Sequence, residues 1–331
     1  MTPLAVPPAA ALAPATTGSI RHLPVNLFAS VMSLAGLALA WRLGAGTFGL
    51  PAVVGDTAGV LAVAVFVVLG AAYALKALRH PDAVAAEFNH PVAGNFFGTI
   101  AISLLLLGPV VSPWSAAAGH AVWTAGVVAA FAIVFTAVSR LLQGGRAPDL
   151  ALPAWLIAGV GALDIPVTGA SMPMPWAGEV NLAAAGIGAV LAVLMLAAIF
   201  ARLVFHAPLP PALRPSQMIL VAPFALGFLA YVNLAGEVDR FASLLFYAAL
   251  FFFAVASVKV FREPAPFAPG WWAIGFPIAA LANAALRYAG AHPSTPLTWI
   301  AGALLALLAA VVAVLAVRTV LFTARGRLLA G

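Results

Sequence analysis

The chain has 331 residues, of which 64% are hydrophobic and only 7% are Asp, Glu, Lys or Arg; its formal net charge is +6 and it has no cysteine. A water-facing surface needs about 25% charged residues, so a soluble fold is excluded, and with it a soluble enzyme. The absence of cysteine excludes disulfides, thiolate metal ligands and cysteine nucleophiles.

Residues 1–20 are rich in Ala, Pro and Thr and carry no charge before Arg21. They lack the basic start and unbroken apolar core of a secretory signal and read as a short disordered tail. The rest, 21–331, reads as one transmembrane domain. A helix crosses the ~30 Å hydrocarbon core with about 20 apolar residues. Ten such stretches follow, at 23–43, 53–77, 92–112, 121–142, 152–172, 180–205, 215–235, 241–261, 270–290 and 297–322. Turn residues separate them, among them Pro81, Pro113, Gly144 to Pro148, Pro173 to Gly178 and Pro264 to Gly270. The expectation is an all-α integral membrane protein of ten transmembrane helices.

Basic residues set the orientation, because cytoplasmic loops are enriched in Lys and Arg. With both termini inside, 12 basic residues face the cytoplasm and 3 (Arg42, Arg240, Arg287) face out, and inversion would reverse the split. The plasma membrane, the inner membrane of a bacterium, is the expected location. The basic residues lie singly or in pairs without interleaved stacking aromatics, which argues against a nucleic-acid partner.

Pro24, Pro91, Pro153, Pro215 and Pro269 each open an odd-numbered span, at spacings of 54 to 67 residues. Pro109, Pro166, Pro223 and Pro277 lie within odd spans, whereas the bodies of the even spans contain no proline. A proline inside a span frees a backbone carbonyl, which is tolerated against protein or a wet cavity but not against lipid. The pattern predicts five helical hairpins around a central pore, the proline-kinked odd helices inside and the even ones outside.

The segments "LPVNLFASVMSLAGLALAWR" (Leu23–Arg42), "HPVAGNFFGTIAISLLLLG" (His90–Gly108) and "WWAIGFPIAALANAALRYAG" (Trp271–Gly290) resemble the tellurite-resistance/dicarboxylate transporter (TDT) family. That family includes the bacterial tellurite-resistance membrane protein and the plant slow-type anion channels. The resemblance runs from Leu23 to the last span. It implies five hairpins around a pore in each subunit of a homotrimer, and substrates that are small inorganic or organic anions. It also implies that a phenylalanine before the ninth-span proline plugs the pore, which places the gate at Phe276 and Pro277.

Read on its own residues, the ninth span has a face running Ala273, Phe276, Ala280, Ala284 and Arg287. Phe276 is the one bulky group on it. A gate that works by dewetting and a ring filling a gap between closely packed helices both fit that face. Arg42 and Arg287, at the outer ends of spans one and nine, are candidate mouth charges that would draw anions; Glu237, Asp239 and Glu179 on the same side are candidate partners that would neutralise them. Asp164, in "ALDIP", is either a proton-coupling site or a cap for the N–H groups freed at the Pro166 break. Asn26, Asn95, Asn233 and Asn283 are candidate pore-lining polar groups, and interhelical hydrogen bonding explains each as well.

No histidine pairs with another at metal-ligand spacing, and no Gly-rich phosphate loop appears. No metal, no cofactor and no ATP are expected. The functional expectation is a passive anion channel or facilitator occluded by a phenylalanine. The alternative is a proton-coupled exporter of small dicarboxylate, sulfite or tellurite oxyanions.

Overall fold

The computed structural model describes residues 18–262 and 265–330. Residues 1–17 of the expected tail, and Pro264 of the turn after the eighth span, lie outside the described residues. The α-helices are α1 (Phe28–Phe48), α2 (Ala52–Arg79), α3 (Pro81–Asn89), α4 (Gly98–Val111), α5 (Ala116–Leu142), α6 (Trp155–Val160), α7 (Asp164–Gly169), α8 (Ala177–Phe205), α9 (Ala222–Ala235), α10 (Arg240–Phe261), α11 (Gly275–Ala291) and α12 (Thr295–Ala324). There is no strand among the described residues.

Among the described residues, eight helical stretches are long and apolar enough to cross a membrane: Val25–Phe48, Ala52–Arg79, Ala93–Val111, Ala116–Leu142, Ala177–Phe205, Pro211–Ala235, Arg240–Phe261 and Thr295–Ala324. The predicted fifth span falls short in length, and the ninth, whose helical stretch carries Asn283 and Arg287, falls short in apolarity. Trp155–Gly169 is apolar but divided by a 3-10 turn at Gly161–Leu163. The ninth span is a six-residue 3-10 turn, Pro269–Ile274, joined to the 17 residues of α11. A 3-10 turn rises ~2.0 Å per residue against ~1.5 Å in an α-helix, so this composite reaches about 38 Å, more than the ~30 Å core requires.

The same device recurs. The 3-10 segments Val25–Leu27, Ala93–Phe97 and Pro211–Val221 precede α1, α4 and α9. It also corrects the reading of the internal prolines. Pro166, Pro223 and Pro277 lie in the first turns of α7, α9 and α11, where the missing N–H has no helical partner to lose. Only Pro109 lies inside an α-helix beyond its first turn, near the end of α4. Three of the four expected kinks are therefore junctions between 3-10 and α geometry.

Burial separates the spans into two sets. Within the best apolar window, 78% of Val25–Phe48, 61% of Ala93–Val111 and 67% of Pro211–Ala235 is buried. The corresponding shares for the spans containing α2, α5, α8, α10 and α12 are only 22 to 33%. Helices of the buried set touch in a closed sequence: α1 meets α4, α4 meets α7, α7 meets α9, α9 meets α11, and α11 returns to α1. Each also packs against the long helix that follows it in the chain.

Small residues make this closeness possible. A Cβ on Gly126 of α5 would lie 2.8 Å from the Leu105 backbone nitrogen of α4, and one on Gly98 2.9 Å from the Ile157 carbonyl oxygen. At the end of the bundle where the chain begins, Ser19 N–H donates to the Leu329 carbonyl at 3.1 Å, so the first and last described segments share one side.

Candidate functional site

Two cavities lie along the axis of the buried helices. The larger, about 510 Å³, is bordered by Arg42, Asn233, Asn283 and Arg287 toward one end of the bundle. The smaller, about 30 Å³, has a mostly apolar wall that includes Met32, Phe96, Thr99, Ile157 and Trp272. Asp164, Leu226 and Phe276 border both. These three side chains therefore stand at the boundary between the two spaces, and Phe276 is the largest of them, with only 8% of its surface exposed.

The α11 face can be traced residue by residue. Ala273 and Pro277 border the small cavity, Phe276 both, and Ala280, Asn283 and Arg287 the large one. Ala284, expected on this face, is fully buried and borders neither. The reason is helical period: at ~100° per residue, positions 280, 283 and 287 fall within about 40° of Phe276, whereas 284 is displaced by about 80°. Asn283 Nδ2 donates to its own helix at Ala279 O (2.8 Å) and across to Gly36 O of α1 (3.2 Å).

Two of the asparagines expected on this path lie elsewhere. Asn26 borders neither cavity, and its side-chain oxygen is buried without a hydrogen-bond partner. Asn95 Nδ2 donates to Pro91 O (2.9 Å) and Val92 O (3.3 Å) and borders a separate cleft with His90 and Arg140. Both open odd spans at the end where 3-10 turns leave carbonyls and amides to be satisfied locally. Asn233 is the polar residue that joins the site's elements. Its amide donates to Pro166 O (3.0 Å) and Val167 O (2.8 Å) of α7, and its oxygen accepts from Arg287 Nη2 (2.9 Å).

The arginines at the wide end differ. Arg42 pairs with Asp56 (3.1 Å), donates to Pro109 O and Val110 O, and lies over the Trp114 ring. Its acid is Asp56, across the short α1–α2 connection, and none of Glu237, Asp239 or Glu179. Asp239 instead caps α10, accepting from Ala242 N–H (2.9 Å) and from the Tyr231 hydroxyl (2.6 Å). Those bonds hold its carboxyl below the usual range. Arg287 is exposed and forms no ion pair among the described residues. It is the open positive charge of the wide cavity.

Asp164 is fully buried, and neither carboxylate oxygen has a hydrogen-bond partner among the described residues. Capping of the following half-helix, one of the two roles expected for it, is therefore not what its side chain does. The Asp164 backbone carbonyl accepts from the Thr168 hydroxyl at 2.7 Å, and that hydroxyl accepts from Trp123 Nε1 at 3.0 Å.

A bundle of apolar helices enclosing two end-to-end cavities, wide and positive at one end and apolar at the other, is built like a membrane transport protein. No group of three or more His, Asp or Glu poised to hold a metal occurs among the described residues. Comparison with known proteins gives the family. Residues 22–320 match the voltage-dependent anion channel (SLAC1) model, and the chain belongs to that family of membrane anion channels and transporters.

It is 25% identical over 307 residues to the S-type anion channel SLAH3 of Arabidopsis thaliana, covering 90% of this chain and 48% of that one. It thus spans about half the length of that relative. It is 27% identical over 274 residues to a tellurite resistance protein TehA homolog of Haemophilus influenzae, covering 80% of this chain and 81% of that protein. Similarity at 24% identity extends to the guard cell S-type anion channel SLAC1 of Arabidopsis thaliana over 68% of this chain and 41% of that one.

Proposed function

We propose that the protein is a passive anion channel or facilitator whose pore runs through the two cavities and is occluded by Phe276. The observation that carries the reading is that Phe276 borders both spaces at their meeting point. In this architecture ten spans form five hairpins, the buried helices line the pore and the others face lipid. The ring of contacts and the contrast in burial support it. The family resemblance extends it to a homotrimer with a pore in each subunit. Both termini lie in the cytoplasm, so the wide cavity opens outward at Arg42 and Arg287.

The physical logic is weak binding. A pore conducts when ions enter readily and leave readily. Arg287 supplies attraction at the mouth, and among the described residues no Lys or Arg borders the small cavity. Reversal of the mouth charge in Arg287→Glu is expected to lower anion current about five- to tenfold at 10 mM salt, where charge steers ions. The difference should close at 1 M, where the screening length is ~3 Å. A loss that is equal at both salt concentrations would remove Arg287 from the steering role.

The decisive experiment is anion flux into liposomes holding the purified protein, with and without a proton gradient. Passive transport predicts the same flux in both, set by the anion gradient. Asp164→Asn should keep that flux within about twofold, since the exchange preserves shape and a neutral amide still borders the constriction. Flux that requires the proton gradient and disappears in Asp164→Asn would replace the channel reading with proton-coupled export.

A further inference from the structure

A second cavity system lies off the axis. Between α8, the 3-10 segment Pro211–Val221 and α10 runs a groove of about 530 Å³. Arg202, His206, Arg214, Lys259 and Arg262 border it, and no Asp or Glu does among the described residues. Its other wall is aromatic and aliphatic: Phe200 and Phe252, in edge contact at 5.7 Å, together with Val255. Helices α8 and α10 belong to the exposed set, so the groove faces the surroundings of the bundle and not its pore.

Arg202 makes this more than a cluster of surface charge. Its residue is 93% buried (7% exposed), its Nε donates to Asp149 O at 3.1 Å, and its Nη1 is buried without an acceptor among the described residues. A buried guanidinium needs a counter-charge or acceptors to offset the water it has lost. The described residues supply one carbonyl and no carboxylate. Arg202 borders the groove, so a negative group bound there would lie beside its guanidinium.

We propose that this groove binds an acidic glycerophospholipid. The headgroup phosphate sits among Arg202, Lys259 and Arg262, and an acyl chain lies along Phe200 and Phe252. Basic pockets between transmembrane helices at the cytoplasmic boundary suit such headgroups, and a phosphate accepts several charge-assisted hydrogen bonds from guanidinium groups at once. A second copy that met this groove with its own would bring like charge against like. A soluble phosphate would leave the apolar wall uncovered.

The test measures retention of lipid by the purified full-length protein in native mass spectrometry. Phosphatidylglycerol should be held at least about tenfold more tightly than phosphatidylcholine. K259Q/R262Q, which alters two exposed residues, should weaken phosphatidylglycerol roughly twentyfold, at about fivefold per basic group. R325Q/R327Q, which removes basic residues outside the groove, should retain it. R202Q tests the buried end of the site, and because its folding is at risk the exposed pair decides. Equal retention by K259Q/R262Q and the parent overturns the proposal, as does equal retention of the two lipids. Displacement of the lipid by millimolar glycerol phosphate would assign the groove to a soluble phosphate compound. Self-association lost in K259Q/R262Q and insensitive to lipid would assign it to a second copy. Either result also overturns the proposal. None of these measurements depends on transport, so they stand apart from the channel reading.

Discussion

Purified Phe276→Ala protein in planar bilayers is expected to carry anion current at least about tenfold above the parent in chloride and in nitrate. In the parent, the ring of Phe276 borders both a space of about 510 Å³ and one of about 30 Å³. Truncation to alanine removes the ring and joins them. The barrier it removes is one of hydration: an ion passing an aromatic ring in a narrow apolar neck sheds water and gains no partner, and this is how hydrophobic constrictions close pores. A loss of one decade in barrier corresponds to only ~1.4 kcal/mol, a small part of what desolvating an ion costs.

Two features keep the variant informative. Core Phe→Ala substitutions cost about 3–5 kcal/mol when the ring is packed on all sides, but this ring borders open space on two. Pro277, which follows in the first turn of α11, is untouched, so the local backbone is kept. Phe276→Leu should fall between parent and alanine. If folded Phe276→Ala protein conducts no more than the parent, Phe276 is packing and the constriction lies elsewhere, with Leu226 and Asp164 the remaining groups that border both cavities.

What was legible in the sequence follows from what periodicity and composition can encode. Apolar length fixed the long helices α2, α5, α8, α10 and α12 to within a few residues, because a span facing lipid must be continuous. Spans five and nine were harder. Gly161 and Pro166, or Pro269 and Pro277, divide them into 3-10 and α pieces. In span nine the combined rise crosses the membrane although neither piece does, whereas Trp155–Gly169 of span five rises only about 24 Å. Proline position marked the inner helices but not its own role. A proline in the first helical turn and one in the interior look alike in a sequence and differ by a whole hydrogen bond.

Of the residues expected along α11, Ala280 and Asn283 border the wide cavity, while Ala284 borders neither. A step of four followed by another four drifts off a helical face, and four followed by three returns to it. Side-chain partners were the least legible. Asp56 lies 14 residues from Arg42 and faces it only because the α1–α2 connection is tight. The polar link through Asn233 joins three helices that are distant in the chain. Nothing local marks Asn26 or Asn95 as lying off the path, since their placement depends on how the 3-10 openings pack.

The largest stability effect is expected far from the pore, in Glu87→Ala. Lys76, in the last turn of α2, is 3% exposed at its side chain, and its ammonium meets Glu87 of α3 at 2.5 Å and Leu23 O at 2.8 Å. The same carboxylate accepts from the Tyr73 hydroxyl (2.8 Å) and from Val25 N–H (2.8 Å), at the 3-10 opening of the first span. One side chain thus satisfies a buried cation, a phenol and a helix-start amide, and pins α2, α3 and the entry to α1 together. Removing a single member of a buried pair costs about 3–5 kcal/mol because the other charge is left uncompensated. At roughly 2 °C per kcal/mol for a domain of this size, the melting temperature in detergent should fall by about 6–10 °C.

The cause can be separated from simple loss of contact. Lys76→Met combined with Glu87→Leu removes both charges and should regain most of the loss, since apolar replacement of a buried pair is often neutral. The Tyr73 hydroxyl and Val25 N–H would still lack their acceptor, which sets the part not regained at about 1–3 kcal/mol. A Glu87→Ala protein that melts with the parent, or a double variant no more stable than Glu87→Ala, would show that the cation at Lys76 finds water or another acceptor. The entry to the first span would then be held by packing of Phe28 against Tyr73 and Phe66, whose rings meet edge to face at 6.1 and 5.9 Å, and not by charge.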